Sequence, residues 1–137
     1  MLWPLFMFLV LRPPANLTMC STPDSLLQNV RYSLHPDPPT KGQSLNMAFS
    51  GELSERIEFG TIKIHVVLNN FLTVYSSTLD LCDSLKDTGL SCPLDPGHIE
   101  VAATADIPSL VPPGEYTIDL QIQGEKPITC IGAKIRL

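Results

Sequence analysis

The sequence has few charged residues, and basic ones are the scarcer kind. Charged side chains make up 17% of its 137 residues, against about 25% in an average globular protein. Nine Lys and Arg stand against 14 Asp and Glu, and a chain with this negative balance does not attract the phosphate backbone of a nucleic acid. Nucleic acid is therefore not an expected partner. Disorder is excluded as well, because 44% of the residues are hydrophobic and disordered chains are poor in apolar side chains.

The motifs of common catalytic sites are also missing. The sequence contains no G-x-S-x-G, no H-E-x-x-H and no glycine-rich phosphate loop, which are the settings of activated serines, zinc hydrolases and nucleotide sites. Its histidines, His35, His65 and His98, lie far apart along the chain. A histidine far from any nucleophile is more often a surface or turn residue than a catalyst. The sequence therefore predicts a protein without enzymatic activity and without a cofactor.

Hydrophobic runs are short everywhere except at the N-terminus. Residues 1–11 read MLWPLFMFLVL, a run too short to span a bilayer that fits the apolar core of a secretory signal. No Lys or Arg precedes the run and no clear A-x-A site follows it. We expect cleavage after Ala15 or nearby; the alternative is a buried N-terminal segment or a misassigned start. The expected organisation is a secretory signal with an N-terminal tail over residues 1–19, then one domain over residues 20–137.

Two further features indicate export. The triplet N-L-T at Asn16 matches the N-glycosylation acceptor motif, and four cysteines are an even number, as a disulfide framework requires. Cys82 and Cys92 bracket a short polar segment, whereas Cys20 precedes the first predicted strand of the domain and Cys130 lies in the last. Of three connectivities, Cys82–Cys92 with Cys20–Cys130 is the economical one. A zinc site needs closely spaced pairs such as C-x₂-C, which the sequence lacks, so no metal is expected.

Prolines and glycines divide the domain into short segments of alternating apolar and polar residues. There are 13 prolines, which would interrupt helices, and a period of two indicates strands with one buried face. We count about seven strands at hairpin spacing, which predicts an all-β, immunoglobulin-like sandwich of two antiparallel sheets. Residues 52–59 are predicted as an exposed edge strand or loop, and residues 83–90 as a turn or short helical loop. By itself this pattern favours a solid core over a cavity.

Turn and cysteine motifs follow one another through the whole domain. They are D-P-P at 37–39 with Gly42, S-G at 50–51, I-E-F-G at 57–60, D-L-C-D at 80–83, S-C-P-L at 91–94 with Gly97, I-P at 107–108, P-P-G-E-Y-T at 112–117 and Cys130. In this order they resemble the ML domain, a family of secreted lipid-recognition β-sandwiches, and within it the phosphatidylglycerol/phosphatidylinositol transfer proteins. The family commonly has six cysteines and this chain has four. The pairing given above matches two of the family's three bridges.

The resemblance implies a lipid held in an apolar cavity between the two sheets. The implied ligand is a phospholipid of the phosphatidylglycerol or phosphatidylinositol type, or a sterol, which a monomer takes up and releases in transient contact with membranes. The implied location is outside the cell or in an endosomal, lysosomal or vacuolar lumen. The implied lipid-binding residues are apolar side chains of the predicted strands: Leu45, Met47, Phe49, Ile62, Ile64, Val66, Leu68, Phe71, Tyr75, Leu79, Val101, Tyr116, Ile118, Leu120 and Ile122. The alternative function is an immunoglobulin-like protein-interaction module with a solid core.

Specificity would have to come from the mouth of such a cavity, because apolar contacts are not directional. The loops expected at the mouth are residues 50–60, 69–72 and 107–114. Arg56, Lys63 and Lys86 are the candidate contacts for a lipid phosphate.

Overall fold

The structure is a computed structural model that describes residues 14–137, and the apolar run predicted as a signal core lies outside the described residues. In chain order the elements are β1 (Asn16–Met19), β2 (Leu27–His35), β3 (Ser44–Leu53), β4 (Thr61–Leu68), β5 (Leu72–Asp80), α1 (Leu81–Ser84), β6 (Gly97–Asp106), β7 (Glu115–Gln123) and β8 (Pro127–Arg136). The predicted all-β fold is confirmed, although the described residues form eight strands and not seven. The additional strand is β1, which lies within the predicted N-terminal tail.

The strands form two antiparallel sheets. The larger sheet has the order β1-β8-β7-β4-β5 and the smaller one the order β2-β3-β6. Ile62 and Ile64 of β4 lie opposite Ile122 and Leu120 of β7, so these apolar side chains share one face of the larger sheet. The alternating pattern of both strands therefore gives the apolar face that the sequence predicts. This face is turned toward the smaller sheet.

The two ends of the sandwich bury different side chains. We call them the Thr61 end, where β4 begins and β7 ends, and the Leu68 end, where β4 ends and β7 begins. The buried cluster at the Thr61 end consists of Leu26, Leu53, Ile57, Leu81, Leu85 and Ile128. The buried side chains at the Leu68 end include Leu45, Leu68, Tyr116 and Ile135.

The polar segment 52–59 is only partly exposed, so its prediction is wrong for two residues. Leu53 ends β3 and is buried, and Ile57 is buried as well. The Ile57 backbone pairs with Leu94: the Ile57 amide donates to the Leu94 carbonyl over 3.0 Å, and the Leu94 amide donates back over 2.8 Å. Isolated apolar residues in a polar segment carry no periodicity, and the long-range bridge to Leu94 is what turns Ile57 inward.

A single helical turn, α1, starts the connection from β5 to β6. Asp80 caps it, because the amide of Asp83 donates to Asp80 Oδ2 over 2.9 Å. The amide of Leu85 closes the turn on the carbonyl of Leu81 over 3.1 Å. The helical turn thus begins two residues before the predicted turn or helical loop of residues 83–90. Within residues 14–137 no helix has the length and apolarity needed to cross a bilayer.

Both predicted disulfide bonds are confirmed. Cys20–Cys130 joins the segment after β1 to β8 across a sequence separation of 110 residues. Cys82–Cys92 closes the connection between β5 and β6, with a separation of 10 residues. Disulfides persist in oxidising compartments, so these two bonds fit an extracellular or lumenal location.

Candidate functional site

An apolar cavity of about 300 Å³ lies between the two sheets, toward the Thr61 end. Both sheets and the connection between β5 and β6 supply its wall. The lining residues are Leu27, Val30, Phe49, Leu53, Ile57, Ile62, Leu81, Ser84, Leu85, Thr88, Leu90, Leu94, Ile99, Val101, Ala103, Leu120, Ile122, Ile128, Thr129 and Ile131. The volume is at the lower end of the roughly 300–1,000 Å³ of ligand pockets.

Hydroxyl groups are the only polar side-chain groups among these lining residues, and none of the residues is charged. Ser84 Oγ donates to the Asp80 carbonyl over 2.8 Å, and Thr88 Oγ1 donates to the Leu85 carbonyl over 2.7 Å. Thr129 Oγ1 is buried without a hydrogen-bond partner among the described residues. A wall of this kind favours hydrocarbon and offers almost nothing to a charged ligand.

Replacing Thr129 with valine is expected to raise the free energy of unfolding by about 1 kcal/mol. Valine has nearly the same shape, and the substitution removes a buried hydroxyl whose desolvation is not compensated. The matched control is Thr88→Val, which removes a hydroxyl that is hydrogen-bonded and should lower the free energy of unfolding. Urea unfolding of both variants measures the difference. A loss of stability in Thr129→Val as large as that in Thr88→Val would contradict this expectation.

The cavity opens at β6, an end strand of the smaller sheet, and the inner face of β5, an end strand of the larger sheet, carries exposed apolar residues. Ala103 of β6 lines the cavity and is nevertheless exposed. On β5, Tyr75 lies opposite Val66 and Leu79 lies opposite Ile62, so both point to the inner face, yet both are exposed. The opposite sheet therefore does not cover these three inner-face residues.

The structure brings together only some of the residues predicted to bind lipid. Those that line the cavity are Phe49, Ile62, Val101, Leu120 and Ile122. Those buried at the Leu68 end are Leu45, Leu68 and Tyr116. Those on strands but outside the lining, and neither fully buried nor fully exposed, are Met47, Ile64, Val66 and Ile118. Tyr75 and Leu79 are exposed on the inner face of β5 and do not line the cavity, and Phe71 is exposed on the turn after β4.

Sequence reasoning missed fifteen of the twenty lining residues, and six of these fifteen belong to the connection between β5 and β6. Leu81, Leu85, Leu90 and Leu94 line the cavity from this connection. The four-residue spacing of Leu81 and Leu85 matches one turn of helix, and this was the available signal. A single turn is too short to give a clear apolar stripe, so the connection shows no periodicity that predicts a wall.

A bulge in β2 also changes which residues face inward. The register of β2 on β3 shifts between Gln28 and Arg31, and Asn29 has a φ of 55°. Leu27 and Val30, which are three residues apart, consequently both line the cavity. Strict alternation cannot place both on one face.

Comparison with models of known protein families identifies the family of this chain. A family model described as the ML domain matches residues 15–137. The chain belongs to the ML-domain family. The resemblance seen in the sequence motifs is thereby confirmed.

Similar sequences of this ML domain include two fungal proteins named phosphatidylglycerol/phosphatidylinositol transfer protein. The one from Aspergillus fumigatus is 38% identical over 120 residues, which is 85% of this chain and 69% of that protein. The one from Pyricularia oryzae is 32% identical over 115 residues, which is 82% of this chain and 65% of that protein. The chain thus spans about two thirds of the length of these relatives.

Two solved structures share the fold of this ML domain. A Niemann-Pick type C2 protein from the Japanese carpenter ant has a TM-score of 0.63 at 18% identity, over 88% of this chain and 98% of that one. Chicken MD-1, solved in complex with lipid IVa, has a TM-score of 0.64 at 18% identity, over 89% of this chain and 88% of that one. At this identity the likeness establishes the immunoglobulin-like sandwich.

The three candidate phosphate contacts of the ML domain do not surround the opening. Arg56 Nε lies 3.6 Å from Glu58 Oε1, and Arg56 Nη1 lies 3.6 Å from Asp95 Oδ1. Lys86 Nζ lies 3.1 Å from Asp83 Oδ1. Lys63 alternates with the inward residues of β4 and is exposed on the outer face. Two of the three cations are therefore already paired with carboxylates.

The loops expected at a single mouth lie at opposite ends of the sandwich, so that expectation is wrong. Residues 54–60 lead into β4 at the Thr61 end. The turn of residues 69–71 and the loop of residues 107–114 lie at the Leu68 end, where β4 ends and β7 begins. Sequence order gives no information on which end of a strand a distant loop joins, and only the strand pairing decides it.

The outer face of the smaller sheet carries a histidine between two carboxylates. His98 Nδ1 lies 2.8 Å from Glu52 Oε1, and His98 Nε2 lies 3.1 Å from Glu100 Oε1. The hydrogen bond to Glu52 raises the pKa of His98 above its ordinary value of 6.5, and the bond to Glu100 raises this pKa further. The folded state therefore binds this proton more tightly than the unfolded chain does.

Replacing His98 with glutamine is expected to remove a pH-dependent part of the stability. Since the folded pKa lies above the unfolded value of 6.5, the stabilisation is fully present below pH 6.5 and is lost as pH rises through the folded pKa. The stability difference between wild type and His98→Gln should thus be larger at about pH 5.5 than at about pH 8.5. Urea unfolding at both pH values measures it. A difference that does not change with pH would contradict the expectation.

Proposed function

We propose that this ML domain binds one lipid molecule between its sheets and carries it between membranes. The observation that carries the proposal is the cavity, whose lining holds no charged side chain among the described residues and which opens at Ala103. The 38% identity to a phosphatidylglycerol/phosphatidylinositol transfer protein supports the choice of ligand class. Burial of hydrocarbon stabilises by about 0.8 kcal/mol per methylene. A dry cavity therefore lowers the barrier that keeps a lipid from crossing water.

The proposed ligand is a phospholipid of the phosphatidylglycerol or phosphatidylinositol type, with a sterol as the other candidate. A cavity of about 300 Å³ has room for about ten groups the size of a water molecule, each about 30 Å³. This is less than one acyl chain of about sixteen carbons, so the rest of that chain and the second chain of a phospholipid must lie in the open cleft beside Tyr75 and Leu79, or the sheets must separate further. The net charge of −5 gives no general attraction for an anionic headgroup, and headgroup selection therefore rests on local polar groups at the opening.

The proposed mechanism contains no covalent step and needs no cofactor. A monomer loads a lipid at one membrane, carries it, and releases it at another. The protein would act outside the cell, or in an endosomal, lysosomal or vacuolar lumen, after removal of the predicted signal. Asn16, the proposed glycosylation site, is exposed on β1, where a glycan would not obstruct the cavity between the sheets. The interaction module with a solid core is not proposed, because an apolar cavity lies between the sheets and Tyr75, Leu79 and Ala103 are exposed on their inner faces.

A vesicle assay tests this function. Donor vesicles carry fluorescent phosphatidylglycerol, phosphatidylinositol, phosphatidylcholine or cholesterol, and transfer to acceptor vesicles is followed with and without the protein. We expect acceleration with one or both of the first two lipids, together with one lipid per protein in native mass spectrometry of material from a secreting host. Preferred transfer of cholesterol would assign the sterol as the ligand. Lipid-free protein that accelerates none of the four transfers would overturn the proposal.

A further inference from the structure

Two large apolar side chains are exposed at the Leu68 end, on different loops. Phe71, on the turn between β4 and β5, is 81% exposed, and Leu110, on the loop between β6 and β7, is 92% exposed. The turn reads N-N-F at 69–71 and the loop reads I-P-S-L-V-P-P-G at 107–114, so neither contains a charged residue. We call Phe71 and Leu110 the apolar tip. Single exposed apolar residues are common, but two of them on adjacent uncharged loops form a surface suited to an apolar partner.

The two loops are held together at their base by two hydrogen bonds between Asn69 and Glu115. The Asn69 amide donates to the Glu115 carbonyl over 2.8 Å, and the Glu115 amide donates to Asn69 Oδ1 over 3.0 Å. Gly114 and Leu137 exchange two backbone bonds of 3.0 Å each. At Gly114 φ is 150°, and a Cβ would lie 2.7 Å from Asn69 Oδ1, so glycine is what allows the two loops to approach this closely. The tip therefore projects from a fixed base.

Apolar side chains connect the tip with the opening of the cavity. Leu72, Tyr75 and Leu79 of β5 are exposed. In the register of β5 on β4 they lie opposite residues 68, 66 and 62, so all three point to the inner face. They form a path along the inner face of β5 from Phe71 to Leu79, which lies opposite the cavity-lining Ile62, with Ser77 between Tyr75 and Leu79. A lipid chain that moves along this path contacts apolar surface except at Ser77.

We propose that the apolar tip inserts into the interface of a lipid bilayer and so places the β5 path against the lipids to be exchanged. This inference rests on the proposed transfer function and adds the surface that meets the membrane. The partner is a bilayer of low net charge, in which the anionic phospholipid to be exchanged is a minor component, because a protein of net charge −5 is repelled by a strongly anionic surface and the loops of residues 69–71 and 107–114 hold no cation to offset the repulsion. Insertion of apolar side chains then supplies the attraction, which salt does not screen.

Partition of the purified protein onto phosphatidylcholine vesicles tests the inference. Phe71→Ser and Leu110→Ser should each lower the partition coefficient about tenfold, and the double variant about a hundredfold. The matched control is Phe59→Ser, since Phe59 is 59% exposed but lies beside Gly60 at the Thr61 end; its partition should equal that of the wild type. Raising the salt concentration from about 0.05 M to about 0.5 M should leave wild-type partition unchanged.

A second measurement separates the tip from the cavity. Binding of dihexanoyl phosphatidylglycerol, kept below its micelle concentration, should be the same in wild type and in the double variant, while vesicle-to-vesicle transfer falls with the partition coefficient. If the wild type binds this short lipid but the double variant partitions onto vesicles as well as the wild type, the assignment of the tip to the bilayer is overturned. If the wild type binds neither the short lipid nor any vesicle lipid, the proposed function itself fails.

Discussion

Replacing Val101 with aspartate is expected to lower lipid transfer at least about a hundredfold. Val101 lines the cavity on β6, next to its opening at Ala103. A carboxylate there would face the hydrocarbon of the ligand, and burying an unpaired charge costs several kcal/mol. Without ligand the carboxylate retains access to water at the edge of the sandwich, so we expect the fold to survive. Transfer of fluorescent phosphatidylglycerol between vesicles measures the effect.

The matched control carries the same charge on the same strand. Ala102 is the neighbour of Val101 and is exposed, and it alternates with two residues that line the cavity. Ala102→Asp should therefore transfer lipid at the wild-type rate. Circular dichroism of both variants establishes that they are folded. If folded Val101→Asp transfers lipid as fast as Ala102→Asp does, the cavity between the sheets is not where the lipid is bound.

Loss of the Cys20–Cys130 disulfide is expected to cost a large part of the stability of the domain. The bond closes a loop with a sequence separation of 110 residues, for which the chain-entropy relation assigns about 5 kcal/mol. A typical domain is stable by only about 5–15 kcal/mol. The double variant Cys20→Ala with Cys130→Ala should therefore unfold at a much lower urea concentration. Strand β1 should lose its protection from hydrogen exchange first, because in the described structure it pairs only with β8.

The second disulfide serves as the comparison for this variant. Cys82–Cys92 has a separation of 10 residues, and the same relation assigns it about 3 kcal/mol. Replacing this pair should cost less stability, but it releases the connection that carries Leu81, Leu85, Leu90 and Leu94, which are part of the cavity wall. At a temperature where both double variants are folded, the Cys82/Cys92 variant should transfer lipid more slowly than the Cys20/Cys130 variant. The opposite order of stability, or the opposite order of transfer rates, would contradict this account.

The strands with regular alternation follow from the sequence alone. In β4 and β7 a period of two predicts which face is apolar. The pairing of Ile62 with Ile122 and of Ile64 with Leu120 confirms this prediction. The disulfide pairing and the family follow as well, from the spacing of the cysteines and the order of the turn motifs. Strand β1 could not be predicted from the sequence, because its four residues are too few to show a period and its conformation depends on pairing with β8.

What the sequence determined by itself is the sandwich, its two disulfides and its family, because these depend on residue types and spacings along the chain. An inward apolar row looks the same whether it packs as core or lines a cavity, so Leu68 and Leu120 could not be told apart. The tertiary structure decided that Leu68 is buried while Leu120 lines the cavity. It also decided that the connection carrying Leu85 is a wall and that Phe71 points away into solvent. The physical reason is that the distance between the two sheets depends on contacts between residues far apart in the chain. No short segment of the sequence specifies those contacts.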